Sequence, residues 1–98
     1  TFGTLAPVST FTTDQEAIER ANNTNFGLAA YVYTESLNNG VTYSDGLEYG
    51  IVGINDSAPS TAQAPFGGMK ESGLGREGGH HGMDEFLEVK YVSLQLRN

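Results

Sequence analysis

Cysteine is absent from these 98 residues. That removes disulfides, thiolate metal sites and a thiol nucleophile together, and a small secreted domain usually needs such staples. Basic residues are scarce as well: five lysines and arginines stand singly among twelve acidic residues, giving a formal charge of −7. With no cationic patch to neutralise a phosphate backbone, nucleic acid is not an expected partner, and neither is an anionic membrane surface. Hydrophobic runs are short, none near the length of a bilayer span, and the start of the chain lacks a charged-then-apolar leader. The expectation is one small domain of a soluble, cytoplasmic protein.

Glycine, by contrast, is concentrated. Seven of 13 fall between Pro65 and Gly82, in PFGGMKESGLGREGGHHG. Each raises the entropy cost of ordering the backbone, so this density points to a loop bent where the backbone must approach something closely. Asp56 to Ala64 adds no periodic pattern, which makes the irregular span 56–79 longer than about 15 residues, a length at which loops are functional or disordered. Phe66, Met69 and Leu74 inside it, and patterned apolar segments on both sides, favour function.

Outside the loop the patterning alternates between strand and helix. LAPVSTF near the start is β-leaning, with Pro7 confining it to a short strand or an extended lead-in. Thr13 with Glu16 three residues on is a capping-box pattern, and Asp14 adds charge that suits the helix dipole, so a helix is predicted from Asp14 to about Asn22 with Ala17, Ile18 and Ala21 inward. LAAYVYT, 28–34, is apolar on both faces and reads as a buried strand. Ser36 caps a second predicted helix to about Tyr49, with Leu37, Val41, Ser44 and Leu47 or Glu48 inward. Gly40 and Gly46 each weaken it by about 1 kcal/mol relative to alanine. IVGIN, 51–55, is a second buried strand, and the alternation as a whole predicts a parallel α/β layer. Met83 to Glu88 suggests a short helix. Lys90 to Leu96 then alternates, with Val92, Leu94 and Leu96 on one face and Tyr91, Ser93 and Gln95 on the other, as a strand buried on one side does.

Candidate chemistry is sparse. Gly73, Gly75 and Gly78 spell G-x-G-x-x-G, but the motif binds a pyrophosphate only where it follows a buried strand and opens a helix, and GMKES before Gly73 is no strand. His80 and His81 are adjacent, their side chains are expected to diverge, and no convergent ligand set accompanies them, so no metal is expected. Arg76 and Glu77 either pin the loop as a charge pair or place a carboxylate near a reacting centre. Ser60 and Thr61 offer hydroxyls to a substrate or to the turn after Pro59. Phe66 lines a pocket or belongs to the core.

Taken in order, TFGTLAPV, EAIERANNTNFGLAAYVYT, LEYGIVGIN and PFGGMKESGLGREGG resemble the C-terminal portion of the aldehyde dehydrogenase superfamily. APST followed by APFGG and KESGLGREGG is most similar to the succinate-semialdehyde dehydrogenase subgroup. The resemblance implies an α/β fold: part of a parallel-sheet catalytic domain with flanking helices over 1–89, a long glycine-rich loop, and an oligomerisation strand over 90–98. It implies a fragment of a longer enzyme that oxidises an aldehyde to an acid with NAD or NADP and no metal. By the same resemblance Phe2 packs near the nicotinamide, Ser60 donates to the distal carboxylate of succinate semialdehyde, and Phe66 lines the aldehyde tunnel. Glu77 stands on the water path toward the catalytic cysteine, and Arg76 pairs with Glu88. A homo-oligomer through Tyr91, Val92, Leu94 and Leu96 is also implied. Without a cysteine, this chain alone holds no thiol for covalent catalysis. Two rivals stand beside this reading: a non-catalytic structural or interaction protein that retains the fold, and a free-standing glycine-loop nucleotide binder.

Overall fold

Helix α1, Asp14–Asn22, begins where its cap predicts. Thr13 has extended backbone and its Oγ1 accepts the Glu16 N–H at 3.1 Å. The returning half of the box reaches one residue further back than expected, since the Glu16 carboxylate accepts from both the N–H and the hydroxyl of Thr12, each at 2.9 Å. The structure, a computed structural model, describes residues 3–97, so the assignment at Phe2 lies outside the described residues. Residues 5–11 form no strand. No neighbouring strand offers them a ladder, and the Arg20 guanidinium instead holds the segment by donating to the Thr10 carbonyl at 2.7 Å and the Ser9 hydroxyl at 2.8 Å.

The predicted parallel unit forms. Strand β1, Phe26–Gly27, precedes β2, Ala29–Val32; helix α2, Leu37–Gly46, crosses over to β3, Ile51–Ile54, which lies parallel to β2 with Ala29 opposite Ile51 and Val32 opposite Ile54. Its far end is extended by Asn55, whose side chain accepts from Thr34 N–H at 2.9 Å and donates to Thr34 O at 2.8 Å, as a further strand residue would. The expectation of burial on both faces is corrected: Tyr31 is 50% and Tyr33 67% exposed, because among the described residues the helices cover one face only.

Helix α2 departs from its predicted inner face. Leu37, Val41 and Ser44 point to solvent; Leu47 turns inward as predicted, and Gly40 and Tyr43 turn inward with it. The glycines are the contact points: a Cβ on Gly46 would lie 3.0 Å from Ile18 Cδ1, so the bare backbone lets α2 approach α1 closely. The helix also stops at Gly46 rather than near Tyr49. Asn22 at the end of α1 takes over there, donating to Gly46 O at 2.8 Å and accepting from Glu48 N–H at 2.9 Å. A side chain 24 residues away in sequence thus sets the boundary.

The span 56–79 is more ordered than the sequence predicts. Strand β4, Met69–Lys70, pairs antiparallel with β1, and a bridge joins Phe66 to Glu77. Lys70 fixes the first of these: its ammonium donates to Asn22 O at 2.9 Å and Thr24 O at 3.3 Å and pairs with Glu48 Oε2 at 2.7 Å, all three contacts gathered from the neighbouring elements. Gly50 must be glycine for the same packing, since a Cβ there would collide with the Gly67 carbonyl. Helix α3 spans His81–Asp84, two residues ahead of the predicted start and shorter than predicted. Residues 90–97 pair with no strand among the described residues, and Tyr91, Val92, Leu94 and Leu96 stand exposed.

Candidate functional site

The three residues to which the resemblance gives substrate or water-path roles meet in one place. Ser60, Phe66 and Glu77 line a shallow cleft of about 320 Å³ together with Thr61, Ala62, Ala64 and Gly78. What joins them is backbone: Phe66 N–H donates to Glu77 O and Glu77 N–H to Phe66 O, both at 2.7 Å, an antiparallel clip that closes the glycine loop. Gly79 N–H adds a bond to Ala62 O at 2.9 Å and so carries the segment beside Ser60 to the same clip. The glycines make this possible. Gly78 has φ +71° and Gly79 φ +57°, and a Cβ on Gly78 would stand 2.8 Å from the Ala64 carbonyl.

The charge pairs expected of Arg76 do not form. Among the described residues no ion pair joins Arg76 to Glu77 or to Glu88; the guanidinium instead donates to Gly68 O at 2.9 Å and Gly75 O at 2.6 Å, two carbonyls inside its own loop. The acidic residue that does reach Arg76 is Glu85, whose Oε1 accepts the Arg76 backbone N–H at 3.2 Å. Glu88 lies beyond α3, which ends at Asp84, in a segment with no regular structure. His80 and His81 do not diverge either. The αR backbone at His80 brings their rings together, with centroids 3.9 Å apart and planes tilted by 36°.

Two larger hollows lie elsewhere, of about 410 Å³ beneath α1 and α2 beside Tyr31 and about 590 Å³ along the outer side of α2 beside Leu37. The second of these also gathers hydroxyls and carboxylates, from Thr34, Ser36, Ser44, Glu35 and Asp45; the smaller cleft is set apart because it brings Ser60, Phe66 and Glu77 together. Among the described residues no group of three or more histidines and carboxylates is placed to hold a metal. Nor do they fit a nicotinamide dinucleotide. Gly73, Gly75 and Gly78 follow a two-residue antiparallel strand, all have positive φ, and they open no helix until His81. Sequence reasoning missed Glu85, Lys70 and Asn22 as organisers of the loop. Their partners are backbone groups distant in sequence, which leave no pattern in the residues themselves.

Residues 1–92 match the model of the aldehyde dehydrogenase family. A mitochondrial succinate-semialdehyde dehydrogenase of Oryza sativa subsp. japonica is 54% identical over 93 residues, which are 95% of this chain and 18% of that protein. The NADP(+) succinate-semialdehyde dehydrogenase of Escherichia coli (strain K12) is 50% identical over 96 residues, 98% of this chain and 20% of that protein. A crystal structure of succinate-semialdehyde dehydrogenase from Burkholderia pseudomallei superposes with a TM-score of 0.80 at 48% identity, covering 84% of this chain and 17% of the other. The chain therefore spans about a fifth of the length of the curated relatives it matches. With its α/β fold, glycine loop and matched length taken together, the chain belongs to the aldehyde dehydrogenase family.

Proposed function

We propose that this chain is part of a longer NAD(P)-dependent dehydrogenase that oxidises succinate semialdehyde, or a closely similar carboxylate-bearing aldehyde, to the acid. The observation that carries the reading is the cleft, in which Ser60, Phe66 and Glu77 converge although 17 residues separate the first from the last. Phe66 is 37% exposed and supplies an apolar wall for the aldehyde chain. Ser60 donates a hydrogen bond to the distal carboxylate, and Glu77 orients water for hydrolysis of the acyl intermediate. The thiol nucleophile and the cofactor fold belong to the rest of the longer protein, since this chain has no cysteine and its described residues form no dinucleotide site. Phe2 packs by the nicotinamide. Residues 1–89 belong to the catalytic domain, and 90–98 add as a strand to a second subunit of a cytoplasmic homo-oligomer. No described helix is long and apolar enough to cross a membrane.

The test compares two substrates in the full-length protein. Ser60→Ala is expected to raise KM for the carboxylate-bearing semialdehyde by roughly 10- to 100-fold, as fits about 1.5–3 kcal/mol for a hydrogen bond to a charged group, and to leave an unbranched aliphatic aldehyde nearly unchanged. Equal losses for both aldehydes would reduce Ser60 to a turn residue. The absence of a thiol keeps one rival in view, a structural protein that retains the fold, and turnover of either aldehyde by the wild-type protein excludes it.

A further inference from the structure

We infer that Glu85 is a positioning residue for the cleft, acting through Arg76 on the clip between Phe66 and Glu77. The inference rests on the reading that this cleft takes the semialdehyde. Three consecutive loop residues are gripped in turn. Gly75 offers its carbonyl to the Arg76 guanidinium at 2.6 Å, Arg76 gives its backbone N–H to Glu85 Oε1 at 3.2 Å, and Glu77 exchanges two 2.7 Å bonds with Phe66. Glu85 contributes the one grip of the three that comes from the α3 turn outside the loop. Its carboxylate lies flat on Gly75, where a Cβ would stand 2.6 Å from Oε2 and 2.9 Å from Oε1. Gly75, with φ +73°, supplies both the left-handed turn and the empty face that the carboxylate occupies. The guanidinium of Arg76 is thereby aimed back at Gly68, with a Cβ on Gly67 excluded at 2.7 Å from Arg76 Cδ. One carboxylate acceptor therefore fixes where Arg76 sits, and the next residue along is the one that lines the cleft.

Three forms of the full-length protein test this: wild type, Glu85→Ala and Glu85→Gln, the last keeping an oxygen that accepts from Arg76 N–H. Hydrogen exchange at the amides of Phe66 and Glu77 is expected to quicken by roughly tenfold in E85A and to return near the wild-type rate in E85Q. KM for the carboxylate-bearing semialdehyde is expected to rise about fivefold in E85A with kcat within about twofold, and E85Q to restore it. If E85A does not fold, Glu85→Ser takes its place, being polar but too short to reach Arg76. Unchanged exchange, unchanged KM, or an E85Q variant as impaired as E85A each overturns the inference. A wild-type protein that oxidises no semialdehyde overturns the functional reading instead, and amide exchange alone then decides whether Glu85 holds the clip.

Discussion

At the scale of single residues, the informative side chains are those that replace a missing backbone partner. Asn55, at φ +53°, mimics a strand residue toward Thr34, and Asn22 finishes a helix that is not its own. The sequence marked both as asparagines at element ends and left their partners open, because a terminating asparagine bonds equally well to near or distant backbone. Tyr43 is a residue whose ionisation the fold alters. Partial desolvation, and then the hydrogen bond it donates to Asp14 Oδ1 at 2.8 Å, raise its pKa above the ordinary 10.0. A raised value means that the stabilisation is fully present below pH 10.0 and is lost as pH climbs through the folded-state value. The thermal midpoint is therefore expected to fall in that alkaline range, and Tyr43→Phe to flatten the fall. A mutant curve parallel to wild type above that pH would show that the Asp14 contact contributes nothing.

Among the elements, glycine has opposite meanings in two places. Gly40 faces open contact, with a Cβ 3.4 Å from Ile54 Cγ2 and 3.9 Å from Thr34 Cγ2, so Gly40→Ala is expected to stabilise the protein by up to about 1 kcal/mol through helix propensity. Gly50 faces the Gly67 carbonyl, and Gly50→Ala must push the glycine loop off β3 at a cost of roughly 1–3 kcal/mol or more. Denaturant midpoints of the two alanine variants should move in opposite directions; movement the same way would mean that the loop yields to a Cβ. From the sequence Gly40 reads only as a weak point inside a helix, and nothing in it marks the Gly67 carbonyl that Gly50 faces. The helix and strand starts were legible because Thr13, Ser36 and the apolar runs act locally. The end of α2, the pairing of β4 and the position of α3 were not, since Asn22, Lys70 and the loop decide them through space.

For the whole molecule, the accessible surface is 8318 Å² where a compact chain of this mass exposes about 5,400 Å². The radius of gyration is 19.1 Å against about 13 Å for a compact domain of this length. Among the described residues Leu47, still 9% exposed, is the one large apolar side chain that is buried. Residues 90–97, which pair with no strand among the described residues, carry their apolar side chains into solvent. Leu94 is 79% exposed, and on the proposed addition of 90–98 to a second subunit Leu94→Lys is expected to shift the full-length protein to smaller species in light scattering, because that edge would lose an apolar contact and gain a charge. An unchanged mass would overturn the proposed contact through 90–98.

The sequence by itself determined the strand–helix–strand unit, its parallel order, the capped start of each long helix and the stretch that holds the candidate site. These follow from apolar period, capping residues and glycine density, all written over a few neighbouring positions. Only the tertiary structure decided that Ser60, Phe66 and Glu77 share a cleft, that Glu85 rather than Glu88 holds Arg76, and that Gly40 and Tyr43 face inward. The physical reason is that Asn22, Lys70, Arg76 and Glu85 all hydrogen-bond to backbone N–H or C=O groups brought near by folding, and a backbone group has no letter in the sequence.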